Sequence, residues 1–123
     1  MSLIQQENKI IPKRVLNPPA EKQRILIDVR TPEEYRTGAL DSSINIPHNV
    51  LTQDPLIPLS SPSAIPIIES SYGKSAQIVL YCRSGRRSAL VKNSLEKAGF
   101  EDVTDLGSFE EARRALEMEK QNQ

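Results

Sequence analysis

The chain has 123 residues, of which 37% are hydrophobic and 4% aromatic, and it contains one cysteine. This length is typical of a single domain with one hydrophobic core. Sixteen Lys and Arg balance sixteen Asp and Glu, so no net charge attracts the chain to nucleic acid or to a membrane. One cysteine excludes an internal disulfide and a zinc site built from several thiolates.

The first half of the chain predicts a strand, a helix, a second strand and an irregular segment. Residues 25–29 form a β-branched run that is typical of a strand buried on both faces. The sequence Thr31-Pro32-Glu33-Glu34 predicts a capping box that begins a helix ending near Thr37. Residues 43–46 predict another short strand. The four prolines of residues 54–66 exclude a continuous helix or central strand there, with one helical turn predicted around residues 67–71.

The second half continues the alternation of strands and helices. Residues 77–81 predict the clearest strand, and the loop at residues 82–87 precedes an amphipathic helix that ends at Gly99. Residues 103–106 predict a last strand. Ser108-Phe109-Glu110-Glu111 then predicts a second capping box and a final helix.

This order predicts an α/β fold with a central parallel sheet of about five short strands, flanked by helices on both faces. The predicted domain covers residues 21–119, after an N-terminal extension at 1–20 and before a tail at 120–123. Ligands of such sheets bind beyond the carboxyl ends of the strands, and Cys82 lies at the carboxyl end of the clearest strand.

The loop after Cys82 predicts a site for a reactive thiolate. The thiolate is the nucleophilic form of cysteine, and a loop that curls into a helix can direct several unpaired amides at its sulfur. Gly85 permits a turn with positive φ, and the small Ser84 lets the backbone approach. Three cations add to the positive potential of the loop, namely Arg83, Arg86 and Arg87.

Two reaction classes fit a nucleophile in such an anion-binding cup. One is sulfur transfer through a cysteine persulfide, and the other is phosphoester hydrolysis through a cysteinyl phosphate. Cysteine phosphatases resemble one another in placing an arginine six positions after the cysteine, whereas here that position is Ser88 and the arginine is Arg87. The shorter loop favours sulfur transfer.

Four segments together resemble a single-domain rhodanese-like sulfurtransferase over about residues 21–119. Residues 27–35 (Ile-Asp-Val-Arg-Thr-Pro-Glu-Glu-Tyr) are similar to the opening motif of this family, and residues 44–47 (Ile-Asn-Ile-Pro) to its second motif. Residues 81–88 (Tyr-Cys-Arg-Ser-Gly-Arg-Arg-Ser) resemble its active-site loop. Residues 97–100, with the segment from Val103 onward, are similar to its closing segment.

The resemblance implies that Cys82 takes a sulfane sulfur from thiosulfate or a persulfide donor and passes it to cyanide or a thiol. Residues 82–87 would form the cradle around the persulfide, with Arg83 and Arg86 meeting the sulfonate of the donor and Arg87 closing the loop. It implies no metal or organic cofactor. The expected partners are a small anionic sulfur donor and a thiol or protein acceptor, for a monomer or weak homodimer. Because the N-terminus lacks a secretory signal pattern, the sequence predicts a cytoplasmic protein, or a periplasmic one if a leader has been removed.

Two alternatives remain open for function, and several residues receive structural interpretations. The alternatives are a cysteine phosphatase or arsenate reductase, and a non-catalytic rhodanese-like binding module. We expect Asp28 and Arg30 to support the site structurally, with Arg30 paired to Glu33 or Glu34. His48, the single histidine, is expected at the surface. Tyr35 and Phe109 are expected in the core or pocket wall.

Overall fold

The computed structural model describes residues 23–52 and 63–121 of the chain. The predicted extension at residues 1–20 and most of the proline-rich segment 54–66 lie outside these residues. The strands are β1 (Arg24–Asp28), β2 (Ile44–Asn45), β3 (Gln77–Tyr81) and β4 (Asp102–Asp105). The helices are α1 (Pro32–Arg36), α2 (Ile65–Tyr72), α3 (Arg86–Lys97) and α4 (Phe109–Gln121), with a 3-10 turn at His48–Val50.

The strands form a parallel sheet in the order β2-β1-β3-β4. In its register, Ile27 of β1 lies between Ile44 of β2 and Leu80 of β3, and Ile78 of β3 pairs with Val103 of β4. The predicted α/β class with a parallel sheet flanked by helices is therefore confirmed. The described part of the chain contributes four strands, compared with about five predicted.

Successive residues of the central strands point to opposite faces of the sheet, which separates the core from the second layer. On one face, Ile78, Leu80 and Cys82 pack with residues of α2 and α3 in the main apolar cluster. On the other face, the ring of Tyr81 contacts Phe109 at the start of α4, with centroids 5.9 Å apart. The neighbours Tyr81 and Cys82 thus belong to different layers of the domain.

Helix boundaries follow the capping signals of the sequence. Thr31 caps α1 through its side chain, and Glu34 completes the capping box, as predicted. The amide of Glu111 donates to Ser108 Oγ, and the amide of Ser108 donates to Glu111 Oε1, so the second capping box is also confirmed. Helix α4 continues to Gln121, past the domain boundary predicted at residue 119.

Two predicted elements have different lengths in the structure. The strand predicted at residues 43–46 is limited to Ile44–Asn45, because Pro47, which has no N–H to donate to a ladder, follows closely. The single turn predicted at residues 67–71 is the longer helix Ile65–Tyr72, with Pro66 in its first turn, where its missing N–H costs no hydrogen bond. No helix among the described residues is long and apolar enough to cross a membrane.

Candidate active site

Cys82 lies immediately after β3, at the carboxyl edge of the sheet where the prediction placed it. Its side chain is fully buried in the main apolar cluster. Its backbone N–H donates to the carbonyl of Gly107 at 3.0 Å, which fixes the start of the cysteine loop, residues 82–87, to the segment between β4 and α4. The sulfur is therefore enclosed beneath the loop.

Two backbone amides from the amino end of α3 are directed at the sulfur. The N–H of Gly85 donates to Cys82 Sγ at 2.9 Å, and the N–H of Ser88 donates to it at 3.5 Å. Gly85 is the N-cap residue of α3 and has a φ of +95°, a conformation that residues with a Cβ adopt only at a cost. This left-handed turn directs the loop back over the sulfur. The arrangement favours negative charge on Sγ.

Arg87 connects the loop to α1 through a two-point ion pair with Glu34. Its Nη1 lies 3.0 Å from Glu34 Oε1, and its Nη2 donates to Glu34 Oε2 at 3.2 Å. The hydrogen bond from Arg87, together with that from the Thr31 amide, lowers the pKa of Glu34 to about 2. Glu34 therefore caps α1 and holds Arg87 at the same time, and both roles keep it ionised at neutral pH.

Arg83 and Arg86 differ from Arg87 in being exposed. Neither guanidinium forms an ion pair within residues 23–52 and 63–121. The backbone beside them is held, because the Phe109 amide donates to the Arg83 carbonyl at 3.3 Å and Ser84 forms a bridge with Ser108. Arg83 also lines a recess of about 610 Å³ beside the loop, together with Arg30, Glu33, Glu34, Thr37, Gly38 and Phe109.

Asp28 and Arg30 form a buried ion pair on the opposite face of the sheet. Arg30 Nη2 donates to Asp28 Oδ2 at 2.7 Å, and its Nε lies 3.0 Å from both carboxylate oxygens. The guanidinium also donates to the Gly38 carbonyl and lies 4.9 Å from the centre of the Phe109 ring. The predicted pairing of Arg30 with Glu33 or Glu34 is wrong. Asp28, at the end of β1 and two positions before Arg30, binds the guanidinium, and the Glu34 carboxylate binds Arg87.

His48 is half-buried, which corrects its interpretation as a surface residue. Its backbone N–H donates to the carbonyl of Val29 at 3.0 Å, so it lies at the carboxyl edge of the sheet. Its Nδ1 is buried and has no hydrogen-bond partner among the described residues. Burial, together with the positive charge of Arg87, lowers the pKa of His48. The imidazole is therefore neutral at neutral pH.

The sequence did not identify two contacts of the loop. One is the Ser88 hydroxyl, which lies 3.4 Å from Cys82 Sγ. The sequence signal for this contact is the position of Ser88 in the first turn of the helix that follows the cysteine. The other is the Gly107 carbonyl, whose approach depends on the pairing of β3 with β4 and has no local signal. Of the predicted loop residues, Gly85 contacts the cysteine sulfur through its amide, whereas Arg83 and Ser84 are exposed.

Comparisons with known proteins identify the family. A model described as "Rhodanese-like domain" matches residues 12–115. The chain is 34% identical over 80 residues to "Thiosulfate sulfurtransferase 16, chloroplastic" of Arabidopsis thaliana, covering 65% of each protein. It is 28% identical over 85 residues to "Thiosulfate sulfurtransferase PspE" of Escherichia coli, covering 69% of this chain and 70% of that protein.

Solved structures agree with the family match. A structure titled "rhodanese with anions from E. coli" has a TM-score of 0.56 and 26% identity, covering 72% of this chain and 89% of that chain. The chain spans between 51% and 60% of the length of curated relatives from fission yeast, radish and Arabidopsis. The model match covers most of the sequence, and the parallel fold agrees with it. The chain belongs to the rhodanese-like domain family, whose relatives include proteins named as thiosulfate sulfurtransferases.

Proposed function

We propose that this protein transfers the outer sulfur of thiosulfate through a persulfide on Cys82. The Cys82 thiolate attacks the outer sulfur, the S–S bond of thiosulfate breaks, and its electron pair leaves with sulfite. The products are the Cys82 persulfide anion and sulfite. The observation that carries the proposal is the pair of amides from Gly85 and Ser88 directed at Sγ from the amino end of α3, which favours negative charge on that sulfur.

Exposed cations of the loop provide the donor site in this proposal. Arg83 and Arg86 bind the sulfonate oxygens, because both guanidiniums are exposed and free of ion pairs in the described part of the chain. Arg87 has a different role, since its contacts with Glu34 leave it to hold the loop. Ser84 and Gly85 contribute a small side chain and a compact turn, so the donor can approach the backbone.

Thiosulfate reaches the sulfur when the loop opens. Cys82 is fully buried, so the segment formed by Arg83 and Ser84 moves outward to admit the donor, while the Gly85 amide stays directed at Sγ. That segment is held to the start of α4 by the Phe109 amide and by the bridge between Ser84 and Ser108. These contacts involve only the loop and the start of α4, so the opening is a local event.

The second half of the reaction regenerates the enzyme. A nucleophile such as cyanide attacks the outer sulfur of the persulfide, the S–S bond breaks, and its electron pair returns to Cys82 Sγ as thiolate. With cyanide the product is thiocyanate. Sulfite leaves before the acceptor binds, so the kinetics are of the ping-pong type.

Steady-state assays of the wild type and Cys82→Ser test this function. We expect the wild type to form thiocyanate from thiosulfate and cyanide with parallel double-reciprocal plots, and the variant to lose about 10³-fold or more of the activity. Hydrolysis of p-nitrophenyl phosphate in place of thiocyanate formation would support a phosphatase instead. Activity with neither substrate class would support a non-catalytic binding module.

A further inference from the structure

The hydroxyl of Ser88 lies between two groups that can accept its hydrogen. Its Oγ is 3.4 Å from Cys82 Sγ and donates to the Gly85 carbonyl at 3.2 Å. Ser88 is the third residue of α3 and is fully buried, so water does not compete for these contacts. The hydroxyl is therefore confined to partners belonging to the cysteine loop.

Counting hydrogens shows that the two ionisation states of Cys82 need different hydroxyl orientations. A serine hydroxyl has one hydrogen and can also accept. When Cys82 is a thiol, its S–H donates to Ser88 Oγ, and the hydroxyl hydrogen is directed at the Gly85 carbonyl. When Cys82 is a thiolate, the sulfur has no hydrogen to give, and the hydroxyl can turn its own hydrogen to Sγ. Rotation about one bond connects the two arrangements.

We propose that Ser88 is a catalytic residue whose hydroxyl changes its acceptor from the Gly85 carbonyl to Cys82 Sγ when the thiol ionises. The thiol proton leaves to a base in solvent, Ser88 keeps its own proton, and no covalent bond to Ser88 forms or breaks. This inference rests on the proposed function, in which the Cys82 thiolate is the nucleophile of the first half-reaction and the leaving group of the second. The hydroxyl stabilises the thiolate at both stages.

The hydroxyl complements the backbone amides because it can serve the neutral sulfur as well. The amides of Gly85 and Ser88 are fixed donors, whereas the Ser88 hydroxyl accepts from the thiol and donates to the thiolate. A buried polar group without a partner is costly. Because Ser88 is present, the thiol hydrogen of Cys82 and the hydroxyl hydrogen of Ser88 both have acceptors when Cys82 is neutral.

Alkylation of Cys82 by iodoacetamide tests the inference in Ser88→Ala and Ser88→Thr. The matched control is Ser70→Ala, at an exposed position of helix α2. The rate constant is measured from about pH 6 to pH 10. We expect Ser88→Ala to react about tenfold or more slowly than the wild type near pH 7, as removal of a hydrogen bond to a charged acceptor predicts. Near pH 10, its rate should match that of the wild type. Ser88→Thr keeps the hydroxyl and should retain the wild-type profile.

The ratio of the rate constants near pH 7 and near pH 10 distinguishes the effect of the hydroxyl on the thiolate from an effect of the substitution on loop opening. A change in loop opening would alter both rate constants by the same factor. A Ser88→Ala rate that equals the wild-type rate near pH 7, or one reduced by the same factor at every pH, would overturn the inference. Failure of Ser88→Thr to restore the profile, while its unfolding curve remains that of the wild type, would also overturn it. Alkylation requires no thiosulfate. Failure of the proposed function would appear instead as absent thiocyanate formation in the wild type.

Discussion

Two pairs of arginines near the cysteine loop have opposite surroundings. Arg30 and Arg87 are each bound at two points by a carboxylate, from Asp28 and Glu34. Arg83 and Arg86 are exposed, and neither has a carboxylate partner in the described parts of the chain. The residue type is the same, so the difference lies entirely in which strand end or helix faces each side chain.

This comparison distinguishes arginines that maintain the fold from arginines available to a ligand. A guanidinium already bound by a carboxylate has few free N–H groups for an anionic substrate. Removal of its partner leaves an unpaired charge that destabilises the folded chain. An exposed guanidinium contributes little to stability and can bind a sulfonate through two N–H groups. We therefore expect substitutions in the first pair to change stability and substitutions in the second pair to change kinetics.

The largest expected effect is that of Asp28→Asn. Asp28 is fully buried and Arg30 nearly so, and the substitution leaves the Arg30 charge without its counter-ion. We expect a loss of about 3–5 kcal/mol in the free energy of unfolding, measured by urea denaturation. The exposed Asp41→Asn is the matched control and should change stability by less than about 0.5 kcal/mol. Equal stabilities for the two variants would contradict the structural role of the pair.

The next effect is that of Glu34→Gln, and it depends on pH. The pKa of Glu34 is about 2 in the folded chain, against an ordinary value of 4.5, so the ion pair stabilises the fold fully above about pH 4.5. That contribution is lost as the pH falls from about 4.5 towards 2. We expect Glu34→Gln to be less stable by about 2 kcal/mol at pH 7, with a difference that shrinks on acidification.

Its control is Glu33→Gln, because the neighbouring Glu33 is largely exposed. That variant should follow the wild-type stability curve from pH 7 to pH 3. If urea unfolding shows the same difference between Glu34→Gln and the wild type at pH 7 and at pH 3, the ionised pair with Arg87 is not the source of the stabilisation.

The contrast between these carboxylates also shows what the sequence can and cannot predict. The capping box of Thr31 and Glu34 was predicted because its contacts span three residues and follow from local spacing. The bond from Arg87 to the same Glu34 spans 53 residues. It exists because parallel strands bring their carboxyl ends to one edge of the sheet. Local spacing in the sequence does not show which distant residues meet at that edge.

The same limit applies to the site as a whole. The cysteine loop was predicted from a contiguous run of residues after one strand, and the structure places that run against the amino end of α3. The partner of Arg30, the burial of His48 and the Gly107 carbonyl under the loop depend on packing between distant segments. Local chemistry identified the loop, and tertiary contacts determined which of its charges are free.

The smallest of these effects, and the one that concerns the free arginines, is expected for Arg83→Ala and Arg86→Ala. Each variant should lower kcat/KM for thiosulfate by about tenfold, since each removes a charged hydrogen-bond donor to the anion. Neither should alter the urea midpoint. Arg114→Ala on α4 is the matched control, because Arg114 is exposed and away from the loop. An unchanged kcat/KM in both loop variants would show that the sulfonate binds elsewhere.

Mass spectrometry of the intact protein after treatment with thiosulfate tests the central claim most directly. We predict that the wild type gains the mass of one sulfur atom, that cyanide removes it, and that Cys82→Ser gains nothing. A wild-type protein whose mass stays unchanged after thiosulfate, or a Cys82→Ser variant that gains the same mass, would contradict a persulfide on this cysteine.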